Sequence, residues 1–161
     1  MKSSQKELNW VINDDYSEKR KNRKAKMRQR DRIVLDIGSL PIEKIPIPTK
    51  SRDELPAVMR SLQYIYGNAE LRESIFDILE KGIKLETIGC PGMSLWEILV
   101  IGVTRLTLGT NYDRLEHIVN FDELVRAMLG IEKFGAVKKE YSVQALRDNV
   151  HLLKVRKCSK R

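Results

Sequence analysis

The chain has 161 residues, and 30 Lys and Arg against 22 Asp and Glu leave a formal net charge of +8. With 42% apolar and 32% charged residues, this is the composition of a folded single domain rather than of a disordered chain. Two cysteines, Cys90 and Cys158, exclude a disulfide scaffold and a cysteine-based zinc site. The longest apolar stretch, Leu95 to Val103, contains Glu97 and falls far short of the ~20 residues that span a bilayer. The opening MKSSQKELNW has no apolar signal core, so the expectation is a cytoplasmic protein with reduced thiols and no membrane partner.

The sign of the charge is unevenly distributed. Residues 1–18 are net −2, residues 19–32 net +8, residues 33–153 net −3 and residues 154–161 net +5. The positive charge therefore sits on an arm (Lys19, Arg20, Lys21, Arg23, Lys24, Lys26, Arg28, Arg30, Arg32) and a tail (Lys154, Arg156, Lys157, Lys160, Arg161). Like-charge blocks of this density repel themselves until a polyanion neutralises them. Nucleic-acid phosphate is the polyanion that fits, with salt-sensitive contacts; the bland alternative is a solubilising extension. No aromatics interleave with the arm, which argues against a single-strand stacking platform.

In chain order, Ser4 and Glu7 have capping-box spacing ahead of Leu8, Val11 and Ile12, predicting a short helix that leads into the arm. Ile33–Ile37 reads as a strand with a turn at Gly38 and Ser39. Pro41, Pro46 and Pro48 then impose extended backbone and forbid a helix, so 33–50 reads as a linker or wrapping segment. From there the periodicity is helical. Asp53 is the expected cap of a helix with Leu55, Val58, Met59, Leu62 and Ile65 on one face and Pro56 in the first turn. Asn68 caps the next, with Leu71, Ile75, Ile78 and Leu79 inward and Gly82 as its stop. After a tight loop at Cys90-Pro91-Gly92, Ser94 and Glu97 form a second capping box. The helix they open runs to about Leu106 and is apolar nearly all round, which marks it as the buried axis. Gly102 would admit a close neighbour and Gly109 ends the helix. Two short helices follow, one begun by Asn111 with Leu115, Ile118 and Val119 inside. The other is begun by Asn120, with Leu124, Val125, Met128 and Leu129 inside, and is stopped by Gly130. A last helix spans about Ser142–Leu153 with Val143, Leu146, Val150 and Leu153 apolar. The whole reads as an all-α, compact multi-helix bundle over 51–153, preceded by a basic arm (1–32) and a Pro-rich linker (33–50), and followed by a basic tail.

Candidate chemistry is thin. Asp36 ahead of Gly38-Ser39 resembles the start of phosphate-handling folds, but those require βαβ units that this chain does not offer. His117 sits one turn from Asp113, yet His151 lies in another helix and no ligand set accompanies either. Neither cysteine has a reactive context, and there is no Gly-rich phosphate loop. No catalytic residue, metal site or cofactor is expected. Asn111–Gly130 has helix-turn-helix dimensions, with two helices joined at Val119-Asn120. The second begins with Asp122 and Glu123 and has Arg126 as its only base, so Arg126 is the one base-reading candidate; a packed pair or dimer surface is the alternative.

The run LWEILVIGVTRLTLGTNYDRLEHIVNFDELVRAMLGI (95–131) resembles the N-terminal helical region of bacterial insertion-sequence DDE transposases. The marks are the apolar helix, the Gly-bounded turn, the Asp-Arg-Leu-Glu helix and the closing Leu-Gly. The resemblance begins near IPIPTKSRDELP (45–56) and returns at VQALRDNVHLL (143–153). It implies a DNA-binding and assembly module preceding a ribonuclease-H-like catalytic domain in which three carboxylates hold two divalent metals. Those motifs lie downstream of the helical region, so no family catalytic residue maps onto this sequence, and the expectation is a truncated, non-catalytic transposase fragment. Its partners would be DNA, at the element ends or non-specifically, and a second copy or a full-length transposase. The alternative is a helical interaction module that dimerises with, or inhibits, such a transposase.

Overall fold

The computed structural model describes residues 29–31, 40–82, 92–131 and 139–153. Among these residues the fold is all-helical: a 3-10 turn at Ile42–Lys44, then α1 (Glu54–Gly67), α2 (Ala69–Gly82), α3 (Leu95–Leu108), α4 (Tyr112–Phe121), α5 (Glu123–Met128) and α6 (Val143–Val150). The expected helix after Ser4, the strand at Ile33–Ile37 and the loop at Cys90-Pro91 lie outside the described residues. No helix among the described residues is long and apolar enough to cross a membrane.

The helix starts follow local chemistry. Asp53 accepts from the Leu55 N–H, Asn68 from Leu71, Asn111 from Arg114 and Ser142 from Ala145, each filling a donor that the first turn leaves open. At α3 the capping box is complete: Ser94 Oγ accepts from the Glu97 N–H, and the Glu97 carboxylate accepts from the Ser94 N–H at 2.6 Å. Gly109 ends α3 in the left-handed region at φ 55°, where a Cβ would strain the chain.

Helix α3 is the axis, packed by α1, α2, α4 and α6. Leu95, Trp96, Ile98, Val100 and Ile101 are essentially solvent-free, each contributing ~1.5–3 kcal/mol of burial. Gly102 lets the end of the bundle close: a Cβ there would stand 2.2 Å from Leu153 Cδ1. Trp96 stacks at 4.7 Å on Tyr66 and donates its indole N–H to the Met128 carbonyl at 2.8 Å, joining α1, α3 and α5.

Three expectations are corrected. The Pro-rich segment does hold a helical turn, because Pro41 occupies its N-cap, where no N–H is needed. Ile42 and Ile45 are buried from this segment. Gln63 fixes it to α1 by donating to the Ile42 and Ile45 carbonyls at 2.7 and 2.9 Å. It is thus a wrapping segment of the core rather than a free spacer. In α2 the inward side carries Phe76 (2% exposed) and Leu79, whereas Leu71 and Ile78 face solvent at 37% and 67%. Finally, the break between the short helices falls at Asp122, which accepts from the Val125 N–H. Asn120 lies inside α4, its amide spent elsewhere.

Candidate nucleic-acid interface

The root of the basic arm is built into the bundle. The carbonyls of Gln29 and Arg30 accept from the Leu95 and Trp96 N–H groups, each at 3.1 Å. With Ser94 taking Glu97, the first three open donors of α3 are all satisfied. Asp31 accepts from the Tyr66 hydroxyl, whose pKa is raised by burial first and by the Asp31 carboxylate second.

Arg30, expected to meet DNA, is committed to the protein's own acids. Its Nε donates to Glu80 Oε1 at 2.8 Å and its NH2 to Asp77 Oδ1 at 2.8 Å and Glu80 Oε2 at 3.0 Å; NH1 reaches Glu73. These carboxylates form one stripe of α2 at spacings of four and three residues. Glu80 dominates in holding the guanidinium protonated, against partial desolvation, and Glu73 and Asp77 add to it. A phosphate would have to displace all three.

Arg126 is likewise engaged within the protein. It is 9% exposed, and its NH1 donates to the Asn120 carbonyl at 3.1 Å and the Lys139 carbonyl at 3.3 Å. The second helix of the α4–α5 pair therefore turns its base into the protein, and its start carries Asp122 and Glu123. The pair is a packing unit in this structure. The remaining candidates, Lys19, Arg20, Lys21, Arg23, Lys24, Lys26, Arg28, Arg32, Lys154, Arg156, Lys157, Lys160 and Arg161, lie outside the described residues.

The bundle's polar centre is a closed network. Glu97, 3% exposed, accepts from the Tyr141 hydroxyl at 2.8 Å and from Lys139 Nζ. Burial raises its pKa, but Lys139, the Ser94 N–H and the Tyr141 hydroxyl together outweigh that and leave it lowered. Asn120 clamps the Tyr141 backbone, accepting from its N–H at 2.9 Å and donating to its carbonyl at 2.8 Å. Every group has a partner, so the network holds 139–142 against α3 and α4. It does not present an open reactive group.

His117 stacks on Phe121 at 4.9 Å and is exposed, while His151 Nδ1 lies 2.8 Å from the Arg147 carbonyl. No group of three or more metal-ligating side chains occurs among the described residues. Asp36 lies outside them.

One cationic grouping carried no sequence signal. Arg105 in the last turn of α3 places its guanidinium carbon 4.3 Å from the centroid of Tyr112, the first residue of α4. Arg147 in α6 places its own at 5.7 Å from the same ring. The three positions are separated by 7 and 35 residues, and only the packing of α3, α4 and α6 unites them. No family model, curated protein or solved structure matches the chain.

Proposed function

We propose that this chain is a nucleic-acid-binding module whose helical body carries cationic extensions onto a phosphate backbone, chiefly through residues 19–32 and 154–161. The observation that carries the reading is the segregation of charge: the extensions are net +8 and +5 while residues 33–153 are net −3. The anchoring of Gln29 and Arg30 on the start of α3 supports it, because the basic run joins the folded body directly there. With Arg126 and Arg30 engaged internally, affinity comes from the extensions and is largely independent of base sequence. The narrower reading, the helical region of an insertion-sequence transposase acting in DNA transposition, rests on the motif order over 95–131.

The test is titration of a labelled duplex at three or more salt concentrations. Neutralising about six phosphates gives a log–log slope near −5. No binding at low salt would remove the proposal. Competition between a terminal inverted repeat and random duplex separates specific from generic contact.

A second reading, a helical module that pairs with another copy or with a full-length transposase, is favoured by apolar side chains left exposed on α1 and α2. Tyr64, Leu71 and Ile78 stand 69%, 37% and 67% exposed there. Under that reading, neutralising the arm leaves self-association intact.

A further inference from the structure

We propose that Arg105, Tyr112 and Arg147 form a phosphate-binding site on the helical body itself, occupied by the backbone of a DNA duplex. This inference rests on the nucleic-acid reading above and adds to it a site outside both extensions.

The described arginines that reach other parts of the protein are mostly satisfied. Arg30 holds three carboxylates, Arg126 two carbonyls, Arg72 the Tyr66 carbonyl and Arg60 the Pro48 carbonyl. Arg105 and Arg147, like Arg52 and Arg114, have no such partner among the described residues, and the first two are set against one aromatic ring. Among the described residues neither has a carboxylate within 4 Å, and neither side chain donates a hydrogen bond. Arg105 Nε is the one buried side-chain polar atom without a partner among those residues, and such orphans call for an explanation.

Two guanidinium carbons at 4.3 and 5.7 Å from one ring centroid lie within about 10 Å of each other, a separation at which like charges still interact. The Tyr112 ring attracts both cations. Helix-end carbonyls favour a cation in the last turn of α3 and of α6. Both effects draw the cations to the ring, and neither supplies a counter-charge, since no acid lies within 4 Å of either guanidinium among the described residues. An oxyanion that accepts from both forks does.

The occupant is a polymer rather than a free ion because the site adjoins the root of the basic tail. Leu153, the residue before the tail, lies against Gly102, one turn upstream of Arg105. The chain passes from Leu153 directly into the +5 of residues 154–161, and a polyanion answers that charge together with Arg105 and Arg147 where a single free ion does not.

The experiment uses the full chain and a labelled duplex of random sequence. Wild type, Arg105→Gln/Arg147→Gln and Arg105→Lys/Arg147→Lys are titrated across salt, with a thermal melt of each. Loss of two phosphate contacts makes the log–log slope shallower by about 1 to 2, at wild-type melting temperature, and the Lys pair restores it. An unchanged slope in a folded Gln pair overturns the site while leaving the arm reading standing. No duplex binding by any form overturns both. Inorganic phosphate is titrated separately while following the Arg105 and Arg147 Nε–H resonances. Shifts with phosphate but none with duplex would overturn the DNA backbone as occupant.

Discussion

Replacing Asn120 with Ala tests how the segment at 139–142 is held. Asn120 is 4% exposed, and its amide supplies both partners of the Tyr141 backbone, at 2.9 Å to the N–H and 2.8 Å to the carbonyl. Removing the amide leaves a buried donor and a buried acceptor empty, at about 1–3 kcal/mol each, hence roughly 2–6 kcal/mol in all. At ~2–4 °C per kcal/mol for a chain of this size, the melting temperature falls by about 4–24 °C. Asn120→Asp is the sharper control, since a carboxylate still accepts from the N–H but faces the carbonyl with like charge. Circular dichroism melts give the shift, and hydrogen exchange locates it: the Tyr141 amide should lose protection before α1 does. A drop below about 2 °C, or an unaltered Tyr141 exchange rate, would refute the reasoning.

Glu97→Gln should flatten the acid side of the stability profile. The lowered Glu97 pKa stabilises the fold above the unfolded carboxyl value of about 4.3 and is lost as pH falls through the folded value. The gap between wild type and variant in denaturant melts therefore closes on acidification. Arg126→Ala should cost about 2–3 kcal/mol by emptying the Asn120 and Lys139 carbonyls, yet leave the salt slope of duplex binding unchanged. Gly102→Val should lower stability by about 1–3 kcal/mol by driving Leu153 from its seat, read from the same melts. Arg30→Glu should lower the melting temperature more at low than at high salt, because it sets a fourth acid against Glu73, Asp77 and Glu80.

What the sequence disclosed follows the range of the forces involved. Caps at Asp53, Asn68, Ser94 and Asn111 were legible because donor and acceptor lie within three residues. The all-round apolar α3 was legible because only a central helix tolerates such a surface. The inward side of α2 was not. Leu71, Ile75 and Ile78 form as good a stripe as Arg72, Phe76 and Leu79, and the choice was made by Arg30, which engages the acids from 43 or more positions away, and by Tyr66, which engages Arg72 across a turn. The helix break after α4 was misplaced because Asn120 and Asp122 are both competent caps, and the distant Tyr141 claimed the first. The internal partners of Arg30 and Arg126, two residues expected at DNA, carry no sequence signal for the same reason: they are tertiary. Arg105, Tyr112 and Arg147 meet through three packed helices, and no spacing announces them.

The seating of Gln29 and Arg30 on the amide end of α3 has a practical consequence for dissecting the arm. Cutting the chain after residue 31 would strip charge and at the same stroke unfasten the leading turn of the central helix, so weaker binding by the shortened protein would mix two causes. Substitutions that quench the lysines and arginines of 19–28 one by one, leaving the carbonyls of 29 and 30 in position, keep the electrical question apart from the mechanical one.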